Sequence, residues 1–200
     1  MTLLDVPDVF IGSTDDGHTF VVLNRRIRDA AKVLTDAGFR AHEHPGRTLY
    51  LLPPGTCQDA HERAGDAMHG LLAHTYDLVE LAWTTRWSPD ASDSGTVPDL
   101  RFQVTDDSVT ATALTAPAHS ILEQHGFLAA DASSYRLAPG LGQRGLLSAL
   151  TAAEAHACAH GLTVHISLGI PTPADISAAP RRTPPTVPGP PSERAARKRR

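Results

Sequence analysis

The chain is written twice. Residues 7–87 and 98–170 follow one template: Pro-Asp, a short apolar run, Thr-Asp-Asp, and a second apolar run ending at Leu23 or Leu114. A helix-like stretch then closes on Gly38-Phe39 or Gly126-Phe127, and a Tyr-x-Leu-x-Pro-Gly phrase follows at residues 50–55 and 135–140. From that tyrosine onward the copies keep a constant offset of 85 residues. A repeat of this length must be a supersecondary unit used twice, which restricts the fold more than composition does.

Each copy reads as strand, strand, helix, strand, strand, helix, strand. Val9–Ser13 and Thr19–Leu23 flank Asp15-Asp16-Gly17, a hairpin signal because glycine accepts positive φ. The second copy keeps the hairpin, Leu100–Val104 with 109–114, around Asp106-Asp107-Ser108. Asn24 is placed to cap a helix with Ile27, Ala30, Ala31, Leu34 and Ala37 inward. Pro117 suits the first turn of its counterpart, and Gly38 and Gly126 suit the left-handed position after each helix. A second hairpin follows, 39–43 with Arg47–Leu52 and 127–130 with 135–138. Helices from Cys57 to about His74 and over 143–160 come next, and half-buried strands at 77–83 and 163–168 close each copy. This order predicts an α+β fold with mixed or antiparallel sheets and helices on one face. The expected organisation is a first repeat (1–87), a linker (88–97), a second repeat (98–170) and a disordered Pro/Arg-rich tail (171–200).

The formal charge of −4 hides an asymmetry. Residues 1–170 hold 11 Lys and Arg against 20 Asp and Glu, whereas residues 171–200 hold 7 basic and 2 acidic groups. An acidic body with a basic tail points to two separate jobs. The tail cations Arg194, Arg197, Lys198, Arg199 and Arg200 can neutralise phosphates and release counterions. Arg25, Arg26, Arg28 and Lys32 cluster where the first helix is expected to open, against its dipole, which suggests an anionic ligand; Asp29 and Asp36 are possible ion-pair partners. Trp87, with Trp83 and Arg86 beside it, can stack a base or pack the halves together.

Catalytic signals are weaker. Cys57 falls at a helix start, where the dipole lowers a thiol pKa, and His61 lies one turn on. Glycine stands at the equivalent position of copy two, Gly142, and a small buried cysteine is the competing reading. The paired aspartates of both hairpin turns are explained by turn chemistry. His42 with His44, and His156 with His160, have ligand-like spacing, but a metal site needs three or four convergent ligands, so neither a metal nor a cofactor is expected. Two cysteines without disulfide spacing, no signal-like opening and no long apolar run set the expectation of a cytoplasmic protein with no membrane partner.

The sequence therefore favours a non-enzymatic binding protein, associated with nucleic acid through its tail, in a mobile-element or regulatory accessory role. The alternatives are a protein-interaction module with an acidic pseudo-symmetric body, and a small enzyme using Cys57 and His61. Every feature kept in both copies is explained by turns, caps and packing, so function is expected where the copies differ.

Overall fold

A computed structural model describes residues 2–55, 57–85, 97–105 and 107–180, and for Cys57 the backbone alone. The first half contains strands β1 (Val9–Ser13) and β2 (Thr19–Leu23), helix α1 (Ala30–Asp36), strands β3 (Arg40–His44) and β4 (Arg47–Leu52), helix α2 (Cys57–Leu72) and strand β5 (Leu78–Glu80). The second half repeats the series as β6 (Leu100–Val104), β7 (Val109–Ala113), α3 (Ala116–Gln124), β8 (Phe127–Ala129), β9 (Ser134–Leu137), α4 (Gln143–Ala159) and β10 (Val164–Ser167). The two do not share a sheet. Each builds its own five-stranded sheet with one strand order, β3-β4-β2-β1-β5 and β8-β9-β7-β6-β10. Within each, the last strand pairs parallel to the first and the other neighbours are antiparallel. The fold is α+β and internally duplicated, as the repeated template predicts. Gly38 and Gly126, at φ of 89° and 81°, end α1 and α3 in the left-handed conformation expected there.

The inner faces of the two sheets are alike. Val9, Ile11 and Val21 pack on α1 and α2, and the matching Leu100, Phe102 and Ala111 lie in one core with α3 and α4. The outer faces are opposite in character. In the first sheet Phe10, Phe20, Val22, Leu49 and Leu51 point outward and are buried. The register places Arg101, Thr110, Thr112, Ser134 and Arg136 at the same positions of the second sheet. Because side chains alternate across a strand, one sheet is sealed on both faces and the other on one only.

Two segments seal the outer face of the first sheet. A 3-10 turn at Leu3–Asp5 lays Leu3 and Leu4 into the core and meets α4. From the other end of the chain, residues 168–179 cross as a strap. Asp15 and Asp16 donate their N–H groups to the carbonyls of Ile170 (2.8 Å) and Pro171 (3.1 Å). Further along, the His44 ring donates Nε2–H to the Ile176 carbonyl (2.6 Å), and Ala179 N–H donates to Pro45 (3.1 Å). Gly12 makes the close approach possible, since a Cβ there would lie 2.7 Å from the Leu168 side chain. The second half thus covers the first, while in the other direction the leading 3-10 turn meets α4 and Trp83 packs on His165 of β10, so the two contributions are unlike and the packing is heterologous.

Three expectations are corrected. The tail was expected to be unfolded from residue 171, but Ile176 is 3% exposed and belongs to the core; residues 181–200 lie outside the described residues. Asn24 does not cap α1. Its Nδ2 donates to the carbonyls of Leu4 (2.6 Å) and Pro7 (2.8 Å), fastening the amino-terminal turn, and α1 begins only at Ala30, after Asp29 at φ 56°. Ala31, expected inward, is exposed, because the buried stripe of α1 runs through Ala30, Leu34 and Ala37. The linker at 88–97 is described only at Val97.

The seal is locked by an enclosed ion pair. Arg47 Nη2 donates to Asp5 Oδ1 at 2.6 Å, and their side chains are only 5% and 3% exposed. Arg47 Nε and Nη1 are enclosed without a protein acceptor among the described residues, so Asp5 is the only carboxylate matching that cation. Replacing Asp5 by Ala leaves a buried charge uncompensated and is expected to lower unfolding free energy by about 3–5 kcal/mol in urea titrations. Ile176→Ala is expected to cost about 2–4 kcal/mol by the same measurement, as for other buried aliphatic truncations, whereas Ala178→Ser, at an exposed neighbour, changes little.

Candidate functional site

The cationic cluster near α1 sits differently from the sequence expectation. Arg25, Arg26 and Arg28 occupy an irregular turn before the helix, so they do not oppose its dipole from the first turn. Arg25 Nε pairs with Asp8 Oδ1 (2.9 Å), and Arg28 Nε with Asp29 Oδ2 (3.4 Å). Lys32 Nζ donates to Asp36 Oδ2 at 2.5 Å, and this carboxylate raises the lysine pKa. Arg26 is exposed, with no ion pair among the described residues. A seven-residue helix with most adjacent cations already paired offers no built anion site.

Cys57 opens α2, and its side chain lies outside the described residues. His61, four residues on, donates Nδ1–H to the Thr85 carbonyl at 2.5 Å. That bond ties α2 to the 3-10 turn at Trp83–Thr85, giving His61 a structural employment whatever else it does. Trp83 joins the halves: its indole N–H donates to the Thr14 carbonyl (3.2 Å), and its ring lies 5.7 Å from that of His165 on β10. In the first hairpin turn the Thr14 hydroxyl donates to Asp16 Oδ1 (2.5 Å), and His18 Nδ1 lies 3.0 Å from the same oxygen. The threonine contact is the main cause holding the Asp16 pKa below its ordinary value, and the histidine assists. Trp87, Asp106, Arg194, Arg197, Lys198, Arg199 and Arg200 lie outside the described residues.

Where the halves meet, a cavity of about 290 Å³ opens between them. Leu3, Leu4 and Phe10 line one side, Leu168 and Ile170 the other, with Asp175 and Ser177 at its polar end. The same turn and strap that seal the first sheet line it, and Gln103, Thr105, Asp175 and Ser177 make its lining mixed. Among the described residues no group of three or more His, Cys, Asp or Glu is arranged to hold a metal ion. Nor is any described helix long and apolar enough to cross a membrane.

Two features escaped the sequence reading. The first is a histidine contact between α3 and α4. His125 Nε2 and His156 Nδ1 are 3.0 Å apart, and the His160 ring lies 4.9 Å from that of His156. Helical spacing alone made His156 an ordinary exposed residue; His125, 31 positions away, supplies the partner. The second is the open outer face of the second sheet, where Arg101, Gln103, Thr110 and Arg136 are exposed. Alternation in Leu-Arg-Phe-Gln-Val against Val-Phe-Ile-Gly-Ser carried that signal, but it emerges only when the copies are compared face by face.

The histidine contact makes stability depend on pH. Burial, and next the charge of His156, lower the His125 pKa below its ordinary 6.5. The folded state therefore binds this proton less readily than the unfolded chain. The associated stability is complete above about pH 6.5 and is lost as pH falls through the depressed folded value. Urea midpoints taken from pH 7.5 to 5 should decline, and the decline should be shallower in His125→Gln. Compared with family models, with curated proteins and with solved structures, the chain matches none.

Proposed function

We propose that this chain is a non-enzymatic binding protein that associates with nucleic acid through its carboxy-terminal tail. The observation carrying this reading is the charge of residues 181–200, which hold seven Lys and Arg against one Glu on an otherwise acidic chain. The strap supports it by setting where the tail departs. Residue 180 follows directly on Ala179, whose N–H is bonded to the Pro45 carbonyl in the β3–β4 turn, so the attachment point of the basic segment is fixed on the body. Two side chains of catalytic type have structural partners: His61 holds Thr85, and Asp16 holds Thr14 and His18. Binding would be electrostatic and independent of sequence, driven by counterion release from neutralised phosphates. Trp87 would add stacking on single strands. Two cysteines at no disulfide spacing suit a reducing, cytoplasmic setting for this role.

The test is a salt titration of a 20-nucleotide oligomer against the full chain. If Arg194, Arg197, Lys198, Arg199 and Arg200 each neutralise a phosphate, log K against log salt should fall with a slope of roughly −4. Changing all five to Gln should remove most of that dependence, leaving the share of Arg181 and Arg182, and Trp87→Ala should weaken single-strand binding by about 1–3 kcal/mol. No binding by the unmodified chain at low salt would sink the proposal. A second reading, a protein-interaction module, draws on a different observation, the open face of the second sheet.

A further inference from the structure

We infer that the outer face of the second sheet binds an extended, acidic stretch of polypeptide from a partner. This rests on the face itself and not on the tail. Its strand positions carry two exposed arginines, Arg101 on β6 and Arg136 on β9, and neither has an ion pair among the described residues. Between them Gln103, Thr110, Thr112 and Ser134 offer amide and hydroxyl groups, and no aspartate or glutamate shares the outward positions of these strands. In a body whose net charge is strongly negative, this face is locally cationic, and it complements an acidic ligand.

Each arginine also has an exposed aliphatic neighbour. Arg101 borders a depression of about 160 Å³ formed with Val97, Pro98, Thr112 and Leu114, in which Val97 is 64% and Leu114 54% exposed. Arg136 stands directly opposite Leu128 in the ladder, and Leu128 is 51% exposed. A cation beside an apolar dimple, met twice, fits a ligand that alternates carboxylate and aliphatic side chains. By strand spacing and rise the two arginines are about 12 Å apart, close to the separation of residues i and i+4 in an extended chain.

The first half shows that a polypeptide segment, irregular and with a 3-10 turn at Pro173–Asp175, can lie across this face of the unit. There the equivalent surface is crossed by residues 168–179, with backbone hydrogen bonds to the two hairpin turns at its ends. The chemistry differs as the surfaces differ, apolar strap on apolar sheet in the first half, acidic peptide on cationic sheet in the second. Polypeptide is favoured over nucleic acid because aliphatic side chains flank each arginine, and the aromatic ring at an outward strand position, His165 on β10, is already packed against Trp83.

The probe is an acetylated twelve-residue peptide repeating Glu-Ser-Leu-Ser, which puts Glu at i and i+4 and Leu between them on one face. Its binding is followed by fluorescence anisotropy of the labelled peptide and by amide chemical shifts, using the full chain with all seven Lys and Arg of residues 181–200 changed to Gln. The same peptide with Lys for Glu, and oligothymidylate of equal charge, are run alongside. The Glu peptide should bind and shift amides of β6, β7 and β9. Arg101→Gln and Arg136→Gln, both at exposed positions that leave the core intact, should each weaken it about two- to fivefold, as exposed ion pairs do. Leu114→Asp should weaken it further. No saturable binding, shifts confined elsewhere, equal binding of the Lys peptide, or oligothymidylate occupying the face in preference would each overturn the inference. Failure here leaves the tail reading untouched, because the tail is neutralised throughout.

Discussion

An apolar sheet face cannot be left in water, and the first sheet has two. Its inner face is met by helices of its own repeat. Its outer face, built on Phe10, Phe20, Val22, Leu49 and Leu51, has no partner within residues 7–87 and draws its cover from both ends of the chain. At about 25 cal/mol for each Å² of apolar surface removed from water, burial of these five side chains together with Leu168, Ile170 and Ile176 offsets the ordering of an otherwise irregular strap. Gly12, the Asp5–Arg47 pair and the Asn24 bonds to the amino-terminal turn all serve this one closure.

The repeat made the element order legible because its signals are local. Period-two runs, Asp-Gly turns and glycines after helices read correctly, and β1, β2, β4 and β6 fall on the expected residues. What was missed is long-range. Ile176 stands alone in a proline-rich stretch with no periodicity to announce burial, and only the groove across the first sheet explains it. Asn24 looked like a cap because a capping residue is recognised by its neighbours, whereas its true partners lie 20 and 17 residues earlier. The His125–His156 contact is hidden for the same reason.

Of the candidate site, the sequence supplied a principle more than a location. Function was expected where the copies differ, and candidates were sought among motifs: Arg25 to Lys32, Cys57 with His61, Trp87. The larger difference lies in which face of which strand is polar. Phe10 against Arg101, Gly12 against Gln103 and Leu51 against Arg136 are substitutions at matched register positions, and together they turn a sealed surface into an exposed one. Single residues read in isolation gave no hint, since an exposed arginine on a strand is unremarkable.

The strap also sets an order of events in the making of the molecule. Phe10, Phe20 and Leu51 are synthesised early, while Leu168, Ile170 and Ile176 come last. At roughly 5–20 residues per second, more than a hundred intervening residues correspond to about 6–25 seconds during which the first sheet has emerged without its lid. The first repeat is complete in topology long before it is complete in packing. A nascent chain of this design therefore presents a sticky β-surface to the ribosome exit and its attendant chaperones, and ceases to do so only when the strap is released.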